Sequence, residues 1–541
     1  MGKPTNLGSE AMFRLNIRLV DRSLRKTLSW QVLDPSHDAF GSFRNPSTLI
    51  HDQSFTCAMA GLYASAYFHP DSEFFRRQFL ARRIEAISDY IVKVQHPDGS
   101  IDLSISNIWS APDTGFAVRP ISKAYRLLGS DFGKRDNRTC GNLATFLRKA
   151  RRCLAHGKVH TPNHRWVVVA AMGEVNSLFP SKALRSASED YLSEGIDVNK
   201  EGSYIYEKSN SIYNWISNKA IIDIAKYWER SDLLRYVRRN LDFMVFNVHP
   251  NGEVVDEYSR RQDRGTHTLL PSSAFDCYMQ MALRDRNPIY GSMADLAFKL
   301  NLTRGISPAG YISRQQYWEF QGIPRSGLPL HYSRFFPVTG IVRIRNGDIS
   351  ATIMADNFNN FFTIRKGNVI IDSVKIRYNY WGWWNFNPKR IRVRDTTYEL
   401  VDAFRGRTFH PGPKEVKLKA NFKIIARIER LRGGFGIRLR TEGARNIVMQ
   451  LELGIRPKGE LSLKGEKHDL SRLRKSILFD SKQAAIEDGK DRILIDGGLV
   501  QHRIWDGWRG YDPWERYGKR TVGLLMTPIS PVDMQIGLTA Q

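Results

Sequence analysis

The sequence predicts a multidomain α+β protein: an N-terminal (α/α) toroid of helical hairpins over residues 1–300, a linker over 301–334 and an antiparallel β-sandwich over 335–541. Two patterns predict this. From about residue 50 to residue 300, apolar segments alternate with charged ones, and glycine turns at Gly99, Gly157, Gly202 and Gly252 recur at intervals of 58, 45 and 50 residues. Beyond about residue 335 the apolar period falls from the helical 3.6 to 2, with short turns and no intervening helical pattern.

The apolar members of the repeat are Phe55 to Phe68, Ile121 to Leu128, Trp166 to Phe179, Ile212 to Trp228 and Phe275 to Leu283. Their charged partners include Glu73 to Val94, Leu143 to Leu154, Leu184 to Leu192 and Leu233 to Phe246. A hairpin of one apolar and one amphipathic helix cannot bury its apolar face alone, so hairpins stack. The length suits a ring of six pairs with the apolar helices inside. Gly305, Pro308, Gly310, Pro324 and Pro329 mark the linker. The expected strands are Ile341 to Arg345, Ile349 to Met354, Phe361 to Arg365, Val369 to Ile376, Val416 to Phe422, Ile424 to Ile428, Gly436 to Leu439 and Ile447 to Leu453. Turns such as Arg345-Asn346-Gly347-Asp348 separate them, and consecutive short strands argue an antiparallel sandwich.

Lysine and arginine number 81 against 55 acidic residues, a net charge of +26 spread along the chain. Such an excess attracts a polyanion: nucleic acid, anionic lipid or acidic polysaccharide. No nucleic-acid motif is present, no apolar run is long enough to span a bilayer, and neither partner is expected. Four separated cysteines, Cys57, Cys140, Cys153 and Cys277, read as buried thiols; no metal and no cofactor is expected. Without an apolar leader the chain as it stands is expected in the cytoplasm, or secreted or periplasmic if an export signal was removed. The oligomeric state is not legible.

Two helix starts carry the chemistry. In Glu201 to Asn214, Ser209 or Asn210 can cap a helix whose stripe is Ile212, Ile216, Ala220 and Ile224, with Tyr213 in the first turn. A phenol in the positive field of a helix N-terminus loses its proton more readily; the alternative is an aromatic in an ordinary core. In His160 to Trp166, Thr161 is the cap and Pro162 the first helical residue, so Asn163 and His164 occupy the first turn. Inner helices of a ring run parallel, which would bring Asn163, His164 and Tyr213 to one mouth. An amide, an imidazole and a phenol suit removal of the C5 proton of a uronate sugar, once its carboxylate is neutralised. Tyr213 or His164 takes the proton, Tyr213 can return one to the departing O4, and an unsaturated uronate results.

The loop Tyr258 to His267 precedes another inner helix, and Arg260, Arg261 and Arg264 suit a sugar carboxylate. Tyr206, Glu207 and His267 are further substrate-binding candidates, as is Trp381 within the cluster Tyr378, Tyr380, Trp381, Trp383 and Trp384, which otherwise forms sandwich core. Trp505, Trp508 and Trp514 form a weaker group. His51 to Gln53 and Asn107 to Asp113 also precede inner helices, with Asp52 and Asp113 in capping roles.

Gly202-Ser203 followed by Glu207, Ser209 and Tyr213 resembles the Asp-Gly-Ser…Glu-x-Ser-x-x-Tyr segment of the heparinase II/III-like polysaccharide lyases. Asn163-His164 lies 50 positions upstream of Tyr213 (213 minus 163), near the place where those enzymes carry their carboxylate-neutralising Asn or His. The resemblance implies a toroid joined to a β-sandwich, β-elimination on an acidic glycan, Tyr213 as the catalytic tyrosine, and Asn163 or His164 as neutraliser or base. Two positions depart from the pattern. The early sandwich segment Ala355 to Asn360 holds no histidine where the family has a histidine-rich strand, and position 214, often histidine, is Asn214. Either His267 or His331 supplies the imidazole, or Tyr213 is both base and acid. Two other readings stand beside a lyase: a glycoside hydrolase using two of Asp52, Asp113, Glu207 and Asp263, and a non-catalytic polyanion binder.

Overall fold

Each apolar repeat becomes a helix of a stacked hairpin. In the computed structural model the described residues are 8–44, 50–132, 137–357, 360–380, 382–404, 421–503 and 521–541. Two compact units result. The helical unit comprises Met1–Val198, Ile212–Asp242 and Leu270–Leu328, and the sandwich unit Asn199–Ser211, Phe243–Leu269 and Pro329–Gln541.

The helices are α1 (Ser9–Leu28), α2 (Gln53–Phe68), α3 (Gln78–Val94), α4 (Ala111–Phe132), α5 (Asn137–His156), α6 (Pro162–Leu178), α7 (Lys182–Ser193), α8 (Tyr213–Tyr227), α9 (Leu234–Val245), α10 (Ser272–Asp285), α11 (Pro288–Thr303) and α12 (Arg314–Gln321). The apolar helices α2, α4, α6, α8 and α10 pack on one another in sequence, and α3, α5 and α7 back them. Close backbone approach sets the spacing. A Cβ at Gly61 of α2 would lie 2.8 Å from Pro120 of α4, so only glycine fits there.

Ring closure comes from opposite ends of the unit. α1 packs against α2 and α12, and α12 against α10. Asn16 is buried and donates to the Gly310 carbonyl at 2.9 Å, Tyr317 donates to the Ser9 carbonyl at 3.2 Å, and Arg314 pairs with Glu10 at 2.7 Å. Five sequential hairpins plus this split pair make the six expected. Residues 301–334, expected as linker, carry α12 and the first residues of a strand.

The sandwich unit contains β3 (His331–Phe336), β4 (Ile341–Asn346), β5 (Ile349–Met354), β6 (Phe362–Lys366), β7 (Val369–Asn379), β8 (Trp383–Asn385), β9 (Ile391–Arg394), β10 (Thr397–Phe404), β11 (Phe422–Leu431), β12 (Gly434–Gly443), β13 (Val448–Ile455), β14 (Glu460–Leu463), β15 (Glu466–Asp469), β16 (Ile477–Leu478), β17 (Gln483–Asp488), β18 (Asp491–Asp496), β19 (Val522–Met526) and β20 (Asp533–Ala540), after a small hairpin β1 (Ile101–Leu103) and β2 (Asn107–Ser110) in the helical unit. One sheet runs β15-β14-β17-β18-β20-β12-β11-β10-β9 and the other β16-β19-β13-β7-β6-β5-β4-β3, with β8 beside β7. Among the described pairs β16 with β19 is parallel and the others are antiparallel. Alternating residues such as Ile424, Ala426 and Ile428 of β11 and Leu451, Leu453 and Ile455 of β13 meet in one buried core. Most of the expected strand Val416 to Phe422 lies outside the described residues.

The segments 199–211 and 243–269, flanked by helices in sequence, belong to the sandwich unit. Glu201 explains part of this: its carboxylate accepts from the backbone N–H groups of Val338 (2.9 Å) and Thr339 (2.8 Å).

Candidate active site

Helix direction decides what the two predicted helix starts can share. Near the start of α4 and α6, the rings of Phe116 and His164 meet edge-on at 6.1 Å. Ten residues further along each helix, Arg126 pairs with Glu174 at 2.6 Å, and Tyr227 at the end of α8 donates to Glu174 at 3.2 Å. Arg119 of α4 pairs with Asp223 of α8, and Arg126 lies over the Tyr227 ring at 5.4 Å, so all three helices are parallel and α6 and α8 begin at the same end of the helical unit. At 1.5 Å per residue, Tyr213 lies about 21 Å back along α8 from Tyr227 and Asn163 about 16 Å back along α6 from Glu174, so their axial offset is about one turn.

Thr161 and Pro162 begin α6 as expected, but the Thr161 hydroxyl accepts from the Asn163 side-chain amide at 3.2 Å and makes no cap to the backbone. Asn163 is fully buried; His164 is half-buried and its ring also meets His160 at 4.9 Å. Tyr213, half-buried, is the first residue of α8. Neither Ser209 nor Asn210 caps that helix; Ile212 holds the cap position, without a side-chain cap bond. The two polar residues are drawn elsewhere. Ser209 donates to the buried Asp263 carboxylate at 2.7 Å, and Asn210 to the Val255 carbonyl at 2.7 Å.

The substrate-binding candidates lie in the sandwich unit. Glu207 is buried; its backbone carbonyl accepts from the Arg260 N–H at 3.0 Å, and its carboxylate stands 3.7 Å from Arg261. Arg260 is exposed and pairs with Asp356 at 2.9 Å, which Lys389 also contacts at 2.7 Å. Arg264 donates to the Ser259 carbonyl at 2.6 Å, a bond that folds the loop on itself. Tyr206 is 62% exposed, whereas Trp381 lies outside the described residues, as do Trp505, Trp508 and Trp514. Tyr378 is core, and Tyr380 and Trp384 pack their rings on Phe404.

His267 is buried, and its surroundings suit a structural role. It accepts from Arg456 at 2.8 Å and stands 3.4 Å from Asp372, and burial lowers its pKa to about 4. His331 is on the exposed edge strand β3, bonded to Asn346 at 2.7 Å. In the segment Ala355 to Asn360, Asn357 donates to the Glu257 carbonyl at 3.0 Å and Asn360 to that of Asp372 at 3.0 Å, so both amides fasten backbone.

Sequence reasoning missed the charge network these residues join. His249 is buried between Glu257 and Ser350, each at 3.0 Å. Arg365, 2% exposed, donates to Glu253 and to Glu257, and Arg456 holds Glu253 at 2.8 Å and Asp372 at 3.0 Å. Burial pushes the Glu253 carboxyl up, but Arg456 and Arg365 outweigh it and hold it near 2. Arginines inside otherwise apolar strands, Arg343 in β4 and Arg365 in β6, were the available signal, masked by the basicity of the whole chain. Also missed was Lys208, whose backbone adopts φ 48° and whose ammonium donates to the Thr339 carbonyl at 2.9 Å. Burial, then the charge of Arg260, lowers its pKa to about 8.

The four carboxylates available to a hydrolase have local partners. Asp52 caps α2 by accepting from the Phe55 N–H at 2.8 Å, and Asp113 accepts from Asn107 at 3.1 Å and, at the start of α4, from Ser110. Asp263 takes the hydroxyls of Ser209, Ser211 and Ser259, and Glu207 faces Arg261. Among the described residues no group of three His, Cys, Asp or Glu side chains could hold a metal ion, and no helix is long and apolar enough to cross a membrane. Cys57, Cys153 and Cys277 are buried thiols, and burial pushes the Cys153 pKa up to about 11.

No family model matches the chain, and no curated protein matches it in sequence. Solved structures do. A Paenibacillus xanthan lyase superposes with a TM-score of 0.60 at 10% identity over 99% of this chain, which spans 57% of that enzyme's length. Heparan sulfate lyase HepC from Pedobacter heparinus gives a TM-score of 0.52 at 12% identity, covering 96% of this chain and 83% of the other. A Streptomyces coelicolor A3 chondroitin AC lyase gives 0.53 at 11% identity, covering 99% and 78%. The chain thus shares the fold of these three lyases, helical hairpins joined to an antiparallel β-sandwich.

Proposed function

We propose that this protein is a polysaccharide lyase that cleaves a uronic-acid-containing acidic glycan by β-elimination, leaving a 4,5-unsaturated uronate end. The observation that carries the reading is the common end of α6 and α8, with Asn163 and His164 in the first turn of one helix and Tyr213 opening the other. The net charge of +26 adds to it, since the substrate is a polyanion.

In the reaction, a donor in the first turn of α6, either the half-buried His164 or Asn163 once its amide swings away from Thr161, hydrogen-bonds the uronate carboxylate and stabilises the charge that develops as C5 loses its proton. Tyr213, as phenolate, takes that proton; the electron pair forms the C4–C5 double bond and O4 departs with a proton returned by Tyr213. His164 is the alternative base. Within the sandwich unit by itself, the exposed Arg260 and the ammonium of Lys208 are cations that attract a polyanion. The hydrolase reading is weakened by the structural engagement of Asp52, Asp113, Glu207 and Asp263.

A panel of uronate glycans tests the proposal. The wild-type protein is expected to generate ultraviolet absorbance from the new double bond, with turnover lowered about 100-fold or more in Tyr213→Phe and in Asn163→Ala. New reducing ends without that absorbance, or full activity in Tyr213→Phe, would refute it.

A further inference from the structure

The interior of the helical unit holds a second feature. Beneath the Phe116 and His164 rings a cavity of about 790 Å³ opens among α2, α4, α6 and α8, a volume in the range of small-ligand pockets. Inner helices of a ring face one another, and their facing positions are ordinarily apolar. Here they carry five cations: Arg119, Lys123 and Arg126 from α4, and Lys219 and Lys226 from α8.

Three of the five are neutralised within the unit. Arg119 pairs with Asp223, Arg126 with Glu174 at 2.6 Å, and Lys219 with Asp276 at 2.7 Å. Lys123 and Lys226 pair with no carboxylate among the described residues. Lys226 lies over the Tyr227 ring at 5.0 Å. Lys123 is accessible from the cavity yet ringed by protein, and desolvation, with the nearby Lys219 charge, lowers its pKa. Two positive charges are left over in a cavity whose walls also include Phe116, Pro120 and Tyr227. Both lysines are exposed to solvent, and an ammonium without a carboxylate partner beside aromatic walls is open to an incoming anion.

We infer that this cavity is an anion-binding site for an acidic monosaccharide, with the ligand's carboxylate beside Lys123 and its ring against the Phe116 and Tyr227 walls. The choice of a sugar anion rests on the lyase reading above; the cation geometry does not. The cavity runs inward from the end where Tyr213 sits: Ser54 and Phe116 lie in the first two turns of α2 and α4 and Phe116 meets His164, whereas the cations lie further along α4 and α8.

Calorimetric titration of the full chain with glucuronate, glucose and inorganic sulfate tests this. Glucuronate is expected to bind, about tenfold or more weakly to Lys123→Met and within about threefold of wild type to Lys123→Arg. Lys123→Met breaks no ion pair among the described residues, so its melting temperature is expected to stay within a few degrees of wild type, which separates lost binding from lost fold. Glucose binding equal to glucuronate, sulfate binding as tight as glucuronate, or undiminished binding to Lys123→Met would each overturn the inference. Lys123-dependent binding without glycan cleavage would sink the lyase reading and leave this site standing; cleavage without such binding would do the reverse.

Discussion

His249 turns the buried network of the sandwich unit into a pH dependence of known sign. Its imidazole is 1% exposed, with Glu257 and Ser350 on its two nitrogens. Desolvation, then the charge of Arg365, lowers its pKa from 6.5 to about 3. In the unfolded chain the ring takes up a proton near pH 6.5, whereas in the folded protein it stays neutral well below pH 5. The stabilising contribution is therefore complete above pH 6.5 and is lost progressively as the pH falls toward 3. At pH 5 the loss is RT ln(1 + 10^1.5), about 2 kcal/mol, set by the unfolded pKa alone because the folded value is so much lower. His267, lowered to about 4, adds a term of the same sign, while Asp256, pushed well above its usual range by burial, acts oppositely. The diagnostic quantity is thus a difference between proteins. Urea unfolding at pH 7.5 and pH 5.0 is expected to show wild type losing about 2 kcal/mol more across that interval than His249→Asn. Any constant destabilisation by the substitution cancels. Equal pH dependence in the two proteins would refute the reasoning.

Two further substitutions probe the charges around it. Arg365→Met leaves Glu253 and Glu257 short of a buried counter-charge, and is expected to destabilise the protein by about 3–5 kcal/mol in urea unfolding at pH 7.5. Lys208, with a pKa near 8, loses its charge as pH rises from 7 to 9; binding of a sulfated polysaccharide is expected to weaken by about 1 kcal/mol, roughly fivefold, in wild type and to stay flat in Lys208→Gln.

The fold was legible where periodicity was strong. Phe55 to Phe68 and Trp166 to Phe179 match α2 and α6 within a few residues, because apolar inner helices interrupted by glycine turns leave few alternatives. Strands β4 to β7 and β11 to β13 were equally clear from alternation. What escaped were elements defined by distant partners. The helix α1, which faces α12 almost 300 residues later, has no local signature of that role, and past β13 no strand was expected although β17 and β18 have six residues and β20 eight; β20 pairs with β12 and β18, both far from it in sequence. In the candidate site, Thr161, Pro162 and Tyr213 were placed at their helix starts correctly, although neither helix carries the expected side-chain cap bond. The assignment of Ser209 as a cap did not hold. Asp263, 54 residues away, accepts the Ser209 hydroxyl and holds that side chain away from the helix start. Lys123 and Lys219 stand inside otherwise apolar helices, a mismatch visible in sequence but indistinguishable there from a solvated face.

The split closing pair of the helical ring sets a timetable for biosynthesis. The last residue of α1 is Leu28, while α12 ends at Gln321, so 293 residues (321 minus 28) must follow before its partner exists. At the usual 5–20 residues per second that interval is about 15–60 s. Throughout it the face of α1 bearing Phe13, Ile17 and Leu24, each at most 2% exposed in the finished fold, has α2 for company but not α12. The nascent helical unit is thus an open arc with two unfinished edges, a substrate for chaperones until the chain's own return seals it.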